Sequence, residues 1–324
     1  MKVNFTVFVG LLCGAVALQG ASAQSYPARP IRLIIPVQAG SSMNDTIPRA
    51  LAQRLSAALG QPMVMDNRPG ASGQIGSEMV AKSTPDGYTL LVGYTTTLSI
   101  GPSVHAKLGY DPVKDLVPIA RLAVSSLVVA VNSAVPATNI RELIALAKAR
   151  PGQFHFASAG TGTTPHLCGE LLKTMAAIDM VHVPYKASGS AMTALAGGEA
   201  QMGCQSAGML LPLITAGKLR ALAVAAPQRL SLLPDLPTAQ ESGLAGFEVE
   251  TWTGLLAPAK TPDAVIRRLY DEIARIINTP DMKNFILGQG VAPALMDPAK
   301  FGAYINAERV KWAKVIKMAN VKPD

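Results

Sequence analysis

Beyond Ala23 the chain has no apolar run approaching the roughly 18 residues a membrane-spanning helix needs. Stable membrane insertion of the mature protein is therefore not expected. Cysteine is scarce, at three in 324 residues, and Cys13 lies inside the apolar N-terminal segment. A disulfide framework is excluded, and only Cys168 and Cys204 remain. Two buried thiols are the expected state and a single bridge the alternative, since spacing in sequence does not measure distance. Histidine is nearly as scarce, at four residues. His105, His155, His166 and His182 include no pair at helical zinc-ligand spacing, and there is no Cys-x-x-Cys. No metal is expected. There is no Gly-x-Ser-x-Gly elbow and no Gly-x-x-x-x-Gly-Lys-Ser/Thr loop. Gly160-Thr161-Gly162 begins like a dinucleotide fingerprint, but Pro165 stands where the third glycine belongs. No cofactor is expected. A Ser–His–Asp set assembled only in space would leave no local trace. Dense basic runs are also missing, which argues against nucleic acid as a partner.

What is present begins with the N-terminus. Lys2 is followed by an apolar stretch from Val7 to Leu18, then Ala21-Ser22-Ala23. That is the pattern of a secretory signal at residues 1–23, cleaved after Ala23 to leave Gln24, and it places the protein in the periplasm. Leu12 before Cys13 disfavours a lipoprotein, whose signal wants a small residue there. The formal charge is +8, and removing Lys2 with the signal leaves +7. A mild positive surplus suits an anionic ligand. It equally suits a plain solvated surface.

The mature chain is long enough for two domains. Strand patterns alternate with helical ones: strand at Ile31–Val37, helix at Thr46–Leu59, strands at Val64–Asp66 and Thr89–Gly93 with a helix at Ser77–Ser83 between. Leu127–Asn132 reads as strand and Ile140–Arg150 as helix. The alternation recurs at His155–Ser158, Pro165–Met175, Val181–Pro184, Ala191–Ala196, Gln201–Cys204, Leu210–Ala216 and Arg220–Ala225. Such order predicts an α/β fold with parallel sheets covered by helices. Ala264–Ile277 and Phe301–Met318 carry apolar residues at helical spacing, so the C-terminal end is helix-rich. No linker divides the chain, which favours two lobes joined by two crossings over beads on a string.

Two strand-to-helix loops carry the strongest functional signal. The first reads Gln38-Ala39-Gly40-Ser41-Ser42-Met43-Asn44-Asp45, the second Ala159-Gly160-Thr161-Gly162-Thr163-Thr164-Pro165-His166. Each is hydroxyl-rich, contains glycine and opens a helix. Helix N-termini carry unpaired N–H groups and partial positive charge, so such a loop binds carboxylate or phosphate without a basic side chain. The ordinary alternative is that Ser42, Asn44 or Thr164 only caps its own helix.

A resemblance then emerges from residues spread along the whole mature chain. Tyr26-Pro27-Ala28-Arg29-Pro30-Ile31-Arg32-Leu33-Ile34-Ile35-Pro36, Asp66-Asn67-Arg68-Pro69-Gly70-Ala71 and Pro85-Asp86-Gly87-Tyr88-Thr89-Leu90-Leu91 resemble Bug-type receptors of tripartite tricarboxylate transporters. So do Tyr110-Asp111-Pro112-Val113-Lys114-Asp115, Val181-His182-Val183-Pro184-Tyr185-Lys186, Ala216-Gly217-Lys218-Leu219-Arg220-Ala221 and Gly254-Leu255-Leu256-Ala257-Pro258. The resemblance implies a type II periplasmic binding protein: two α/β lobes, 24–125 plus 245–324 and 126–244, with a ligand cleft between them. It implies a small organic carboxylate as ligand, membrane subunits of the transporter as partners, a monomer, and no enzymatic activity. By the same resemblance the ligand is held by Gln38, Gly40, Ser41, Ser42, Asn44 and Asp45 of the first loop. The second loop contributes Ala159, Gly160, Thr161, Gly162, Thr163 and His166. Thr95, Thr96, Lys186, Gln205 and Ser206 complete the set.

Two departures bear on specificity. Ser41 replaces a second glycine usual in the family, and one extra residue precedes Asp45. Gln205-Ser206 stands where family members often carry Asp-Asn. Losing that carboxylate removes a partner for a ligand ammonium, so a ligand without an amine is expected, a dicarboxylate or an aromatic carboxylate. A sensor delivering the bound carboxylate to a signalling kinase is a second reading. An exported serine hydrolase is a third, and it requires an activated His–Ser pair.

Overall fold

The computed structural model describes residues 26–40, 43–105 and 107–321. The signal segment, its cleavage point, Ser41 and Ser42 lie outside the described residues.

The chain builds one half-sheet, crosses, builds a second and returns. The first half holds β1 (Ile31–Ile35), α1 (Met43–Leu59), β2 (Met63–Asn67), α2 (Gln74–Ala81) and β3 (Thr89–Tyr94). β1 lies between β2 and β3, parallel to both. After β3 a wide helical turn, Thr96–Ile100, leads into α3 (Gly101–Val104). Then comes β4 (Leu116–Asn132), a 17-residue strand and the backbone of the architecture.

The second half contains α4 (Ile140–Ala149), β5 (His155–Ser158), α5 (Thr164–Ala176), β6 (Val181–Pro184), α6 (Ser188–Gly197), β7 (Met202–Ser206), α7 (Ala207–Thr215) and β8 (Leu219–Val224). The chain returns through β9 (Glu250–Pro258) and ends in α8 (Asp263–Ile277), α9 (Pro280–Gly288), β10 (Ala292–Met296) and α10 (Pro298–Met318). β4 serves both halves. Its Leu116–Ser126 part pairs β9 and β10, and its Leu127–Asn132 part pairs β7 and β8. The first half-sheet thus runs β2-β1-β3-β9-β4-β10 and the second β6-β5-β7-β4-β8.

Alternation is a sound guide to β1, β2 and β3 and to β5, β6 and β7, which pair in parallel as βαβ units require. It failed at the centre. β9 runs antiparallel to β3 and β4, and β4 antiparallel to β7 and β8. The start of β4 was missed because Pro118, Arg121 and the serine pair Ser125-Ser126 interrupt its apolar pattern. The first helix was expected from Thr46, with Pro48 in its first turn. That helix begins three residues earlier, so Pro48 falls in its second turn.

Side-chain caps fix several helix starts. Asn139 accepts from the Glu142 amide at 3.0 Å, and Asp297 from the Lys300 amide at 2.8 Å. α10 ties the halves together. Phe301 and Ile305 pack with Leu91 and Trp252, while Trp312, Val315 and Ile316 pack with Phe156 and Leu167. Cys168 on α5 and Cys204 on β7 are joined by a disulfide, Cα to Cα 6.3 Å. The expectation of two buried thiols is corrected: folding brings residues 36 apart to adjacent positions because β7 pairs the strand preceding α5. Among the described residues no helix is long and apolar enough to cross a membrane.

Candidate functional site

A cavity of about 630 Å³ opens between the half-sheets, at the carboxyl ends of β1, β3, β5 and β7. That is where ligands bind in open α/β sheets. Four helices begin on its wall: α1 at Met43, Asn44 and Thr46, α5 at Thr163, Thr164 and Pro165, α6 at Ser188, and α7 at Ser206 and Gly208. Among the described residues no Lys or Arg lines it. Any positive potential there comes from helix ends.

Thr164, the cap candidate of the second loop, is the first residue of α5 and not its cap. Thr163 is the cap residue of α5, yet its hydroxyl donates to the Gly160 carbonyl at 2.7 Å and makes no cap bond. Ser206, at the same position on α7, makes none either. Three polar atoms of cavity-lining side chains are buried without a hydrogen-bond partner among the described residues: Ser125 Oγ, Gln205 Nε2 and Thr46 Oγ1. Unsatisfied buried polar atoms are costly, and their gathering at one cavity marks a polar ligand site. Met43, Tyr94, Leu127, Met209 and Leu211 supply apolar wall.

Of the residues expected from sequence, Gly40, Asn44, Thr96, Ala159, Thr163, Gln205 and Ser206 are on the cavity wall. Of the other expected residues, Ser41 and Ser42 lie outside the described residues and the rest are off the wall. Gln38, Thr161 and Lys186 are exposed and off the wall. Gly160 shapes the turn at φ +121°, and Gly162 packs closely on Val104. Thr95 is fully buried, and its hydroxyl accepts from the Trp252 amide at 2.9 Å, joining β3 to the crossing strand.

Asp45 stands behind the first loop. It is 1 % exposed and accepts from the Gly40 amide at 2.8 Å, Arg49 Nη2 at 2.8 Å and Asn67 Nδ2 at 2.9 Å. Burial opposes its ionisation, but the bonds from Arg49, Asn67 and Gly40 outweigh it and hold the carboxyl below its usual range. Asp45 therefore orients the loop. Asp45→Ala leaves Arg49 and two amide donors without their acceptor. It is expected to cost on the order of 2–4 kcal/mol in urea unfolding. Because the folded value is depressed, this contribution is present at neutral pH and is lost as acid takes the pH down through that folded value.

Sequence reasoning missed Ser125, Thr251 and the turn Gly288-Gln289-Gly290, all on the wall. The two glycines flanking Gln289 were the available signal for that turn. A second cavity of about 570 Å³ shares Ser125, Leu232, Gly290 and Val291 with the first. It carries Arg229 and Glu250. Burial raises the Glu250 carboxyl above its usual range despite the bond from Ser126.

A serine–histidine contact does exist. Ser158 Oγ lies 2.6 Å from His182 Nε2. Ser158 is fully buried and off the cavity wall, and its Oγ also accepts from the Gly160 amide at 3.1 Å. A hydrolase nucleophile must be reachable, and this one is not. Among the described residues no group of three His, Cys, Asp or Glu is placed to hold a metal ion.

Two half-sheets sharing β4, with the cavity at their junction, define a two-lobed α/β solute-binding protein. Residues 47–321 match the Tripartite tricarboxylate transporter family receptor, and the chain belongs to that family, whose receptors are periplasmic. Among similar proteins, BugT of Bordetella pertussis is 36 % identical over 304 residues, covering 93 % of this chain and 92 % of its own. Rpa4515 of R. palustris, solved with adipate, is 32 % identical with TM-score 0.83, over 92 % of this chain and 100 % of that one. MatC of Rhodopseudomonas palustris, with bound malate, is 29 % identical with TM-score 0.77, over 90 % of this chain and 100 % of that one. The Bug-type resemblance read from sequence is thereby established.

Proposed function

We propose that this chain captures a small organic carboxylate in the periplasm and hands it to the membrane subunits of a tripartite tricarboxylate transporter. It acts as a monomer after cleavage behind Ala23. Lobes 24–125 plus 245–324 and 126–244 close on the ligand. The observation that carries the reading is a cavity fed by four helix N-termini, with hydroxyl and amide groups on its wall and no basic side chain among the described residues that line it. Adipate and malate in two similar receptors agree with it. An amine-free ligand, a dicarboxylate or an aromatic carboxylate, is favoured because Gln205, not a carboxylate, stands on the wall beside Ser206.

The test is a thermal-shift series on stripped, refolded mature protein with adipate, malate, citrate, benzoate, phthalates and amino acids. A ligand at 100 times its Kd adds about 2.7 kcal/mol of stability, so the correct acid should raise Tm by several degrees and saturate. Stabilisation by an amino acid alone would overturn the amine-free assignment. No response to any acid would overturn the carboxylate reading.

A further inference from the structure

The second loop is held from behind by aromatic bases that never reach the cavity. His166 is the third residue of α5 and is 4 % exposed. Its Nδ1 accepts from the Gly162 amide at 3.1 Å. This resembles a capping box in which the side chain in the helix's first turn reaches back to a preceding N–H. A nitrogen that accepts from an amide carries no proton, so the contact fixes the tautomer with the proton on Nε2, which lies 3.9 Å from Glu170 Oε1. The His182 ring stacks on His166 with centroids 3.9 Å apart, and Phe156 stacks on both. His182 also reaches Ser158, whose Oγ accepts from the Gly160 amide. Of two amides in one five-residue turn, Gly162 is thus held by His166 directly and Gly160 by Ser158, which His182 contacts. The turn carries Ala159 and Thr163 on the cavity wall.

We propose that His166 is a positioning residue for ligand capture: its neutral imidazole holds Gly162, with His182 and Ser158 holding Gly160, so that the 159–163 turn keeps the shape that receives the anion. This rests on the carboxylate reading of the cavity. Protonating Nδ1 would set two N–H donors against each other and force the turn to move. The fold resists this. Burial first, then His182 and Lys173, depress His166 from 6.5 to about 3. Burial and Lys173 depress His182 to about 4. Glu170 on α5 is the acidic neighbour; it is paired with Lys173, and burial raises its own carboxyl. Both histidines titrate in the unfolded chain near the ordinary 6.5 and in the fold only well below it. The unfolded state therefore binds more protons between these values, and stability falls as pH drops from about 6.5 towards 4.

The experiment combines nitrogen-15 NMR with adipate calorimetry on wild type, His166→Leu and His166→Asn. Asn offers an acceptor near Nδ1 and cannot titrate. At pH 7 wild type should show an unprotonated His166 Nδ1 and a Gly162 amide protected from exchange. His166→Leu should lose that protection and weaken adipate binding about tenfold or more, with fold intact by circular dichroism. His166→Asn should restore most of the affinity, and its unfolding free energy should fall less than that of wild type between pH 7 and 4, because it has no imidazole at this position to take up a proton on unfolding. A protonated Nδ1 at pH 7, or His166→Leu binding adipate as wild type does, would overturn the proposal. If wild type binds no carboxylate the cavity reading fails instead, and the Gly162 resonance alone decides whether His166 holds the turn.

Discussion

Replacing Cys168 and Cys204 together by alanine is expected to lower the unfolding free energy by about 4 kcal/mol, the chain-entropy value for closing a loop of this length. In a chain of this size that corresponds to a fall in Tm of roughly 6 °C. The effect should exceed that of most single core substitutions, because the bridge acts on the unfolded ensemble and its removal also leaves small gaps at two fully buried positions. Alanine is the right replacement. Serine would bury hydroxyls in an apolar cluster containing Val129, Phe156 and Met202. Thermal melts with and without reductant should give the same loss in wild type as the double variant shows. Wild type unchanged by full reduction would show that the bridge does not form in the folded protein. The functional consequence follows from placement. Cys168 lies one turn into α5, and Cys204 immediately precedes Gln205. The bridge clamps the helix that begins at the second loop to the strand that carries the orphaned amide. Some loss of carboxylate affinity is expected beyond the loss of stability.

How far the sequence could be read depended on what kind of physical signal each element leaves. The outer strands and their helices were visible because a βαβ unit repeats a local pattern. His155–Ser158 and Val181–Pro184 fall where the alternation put them. β9 and the first half of β4 leave no such pattern, since they pair antiparallel beside the crossing and carry polar residues at the cleft. Ser125 and Thr251 are polar for that reason, and that is why the pattern broke there. Within the loops, residue type alone did not separate ligand-facing groups from those that hold the loop in shape. Gly40 and Thr163 reach the cavity wall, while Asp45 and His166 stand one layer behind. A buried carboxylate with three donors and an imidazole accepting from an amide are products of folding. The disulfide is the same kind of fact: neither cysteine has a sequence signal, and proximity arises only when β7 pairs β5.

Gly208→Leu is expected to hold the lobes apart and weaken carboxylate binding about 100-fold while leaving stability near wild type. Gly208 opens α7 in the second half-sheet, and the turn at Gln289–Gly290 precedes β10 in the first. The two meet across the cavity edge. A Cβ added at Gly208 would lie 3.2 Å from the Gln289 carbonyl oxygen, and one added at Gly290 would lie 3.0 Å from the Gly208 Cα. These are backbone atoms, which cannot rotate away as a side chain can. Gly290 also has φ +72°, so substitution there would confuse strain with obstruction. Gly208 does not have that conformation, and as a helical residue it gains propensity from any ordinary side chain. Its replacement therefore separates closure from folding. If binding requires the edge to close, a wedge that leaves about one molecule in a hundred competent raises the apparent Kd by the inverse of that fraction. Small-angle scattering should show wild type contracting with ligand and Gly208→Leu failing to contract. Gly208→Ala adds only the Cβ and should fall between them. Equal affinity in all three proteins would mean that the ligand is held without this edge closing, and that one lobe carries the binding energy.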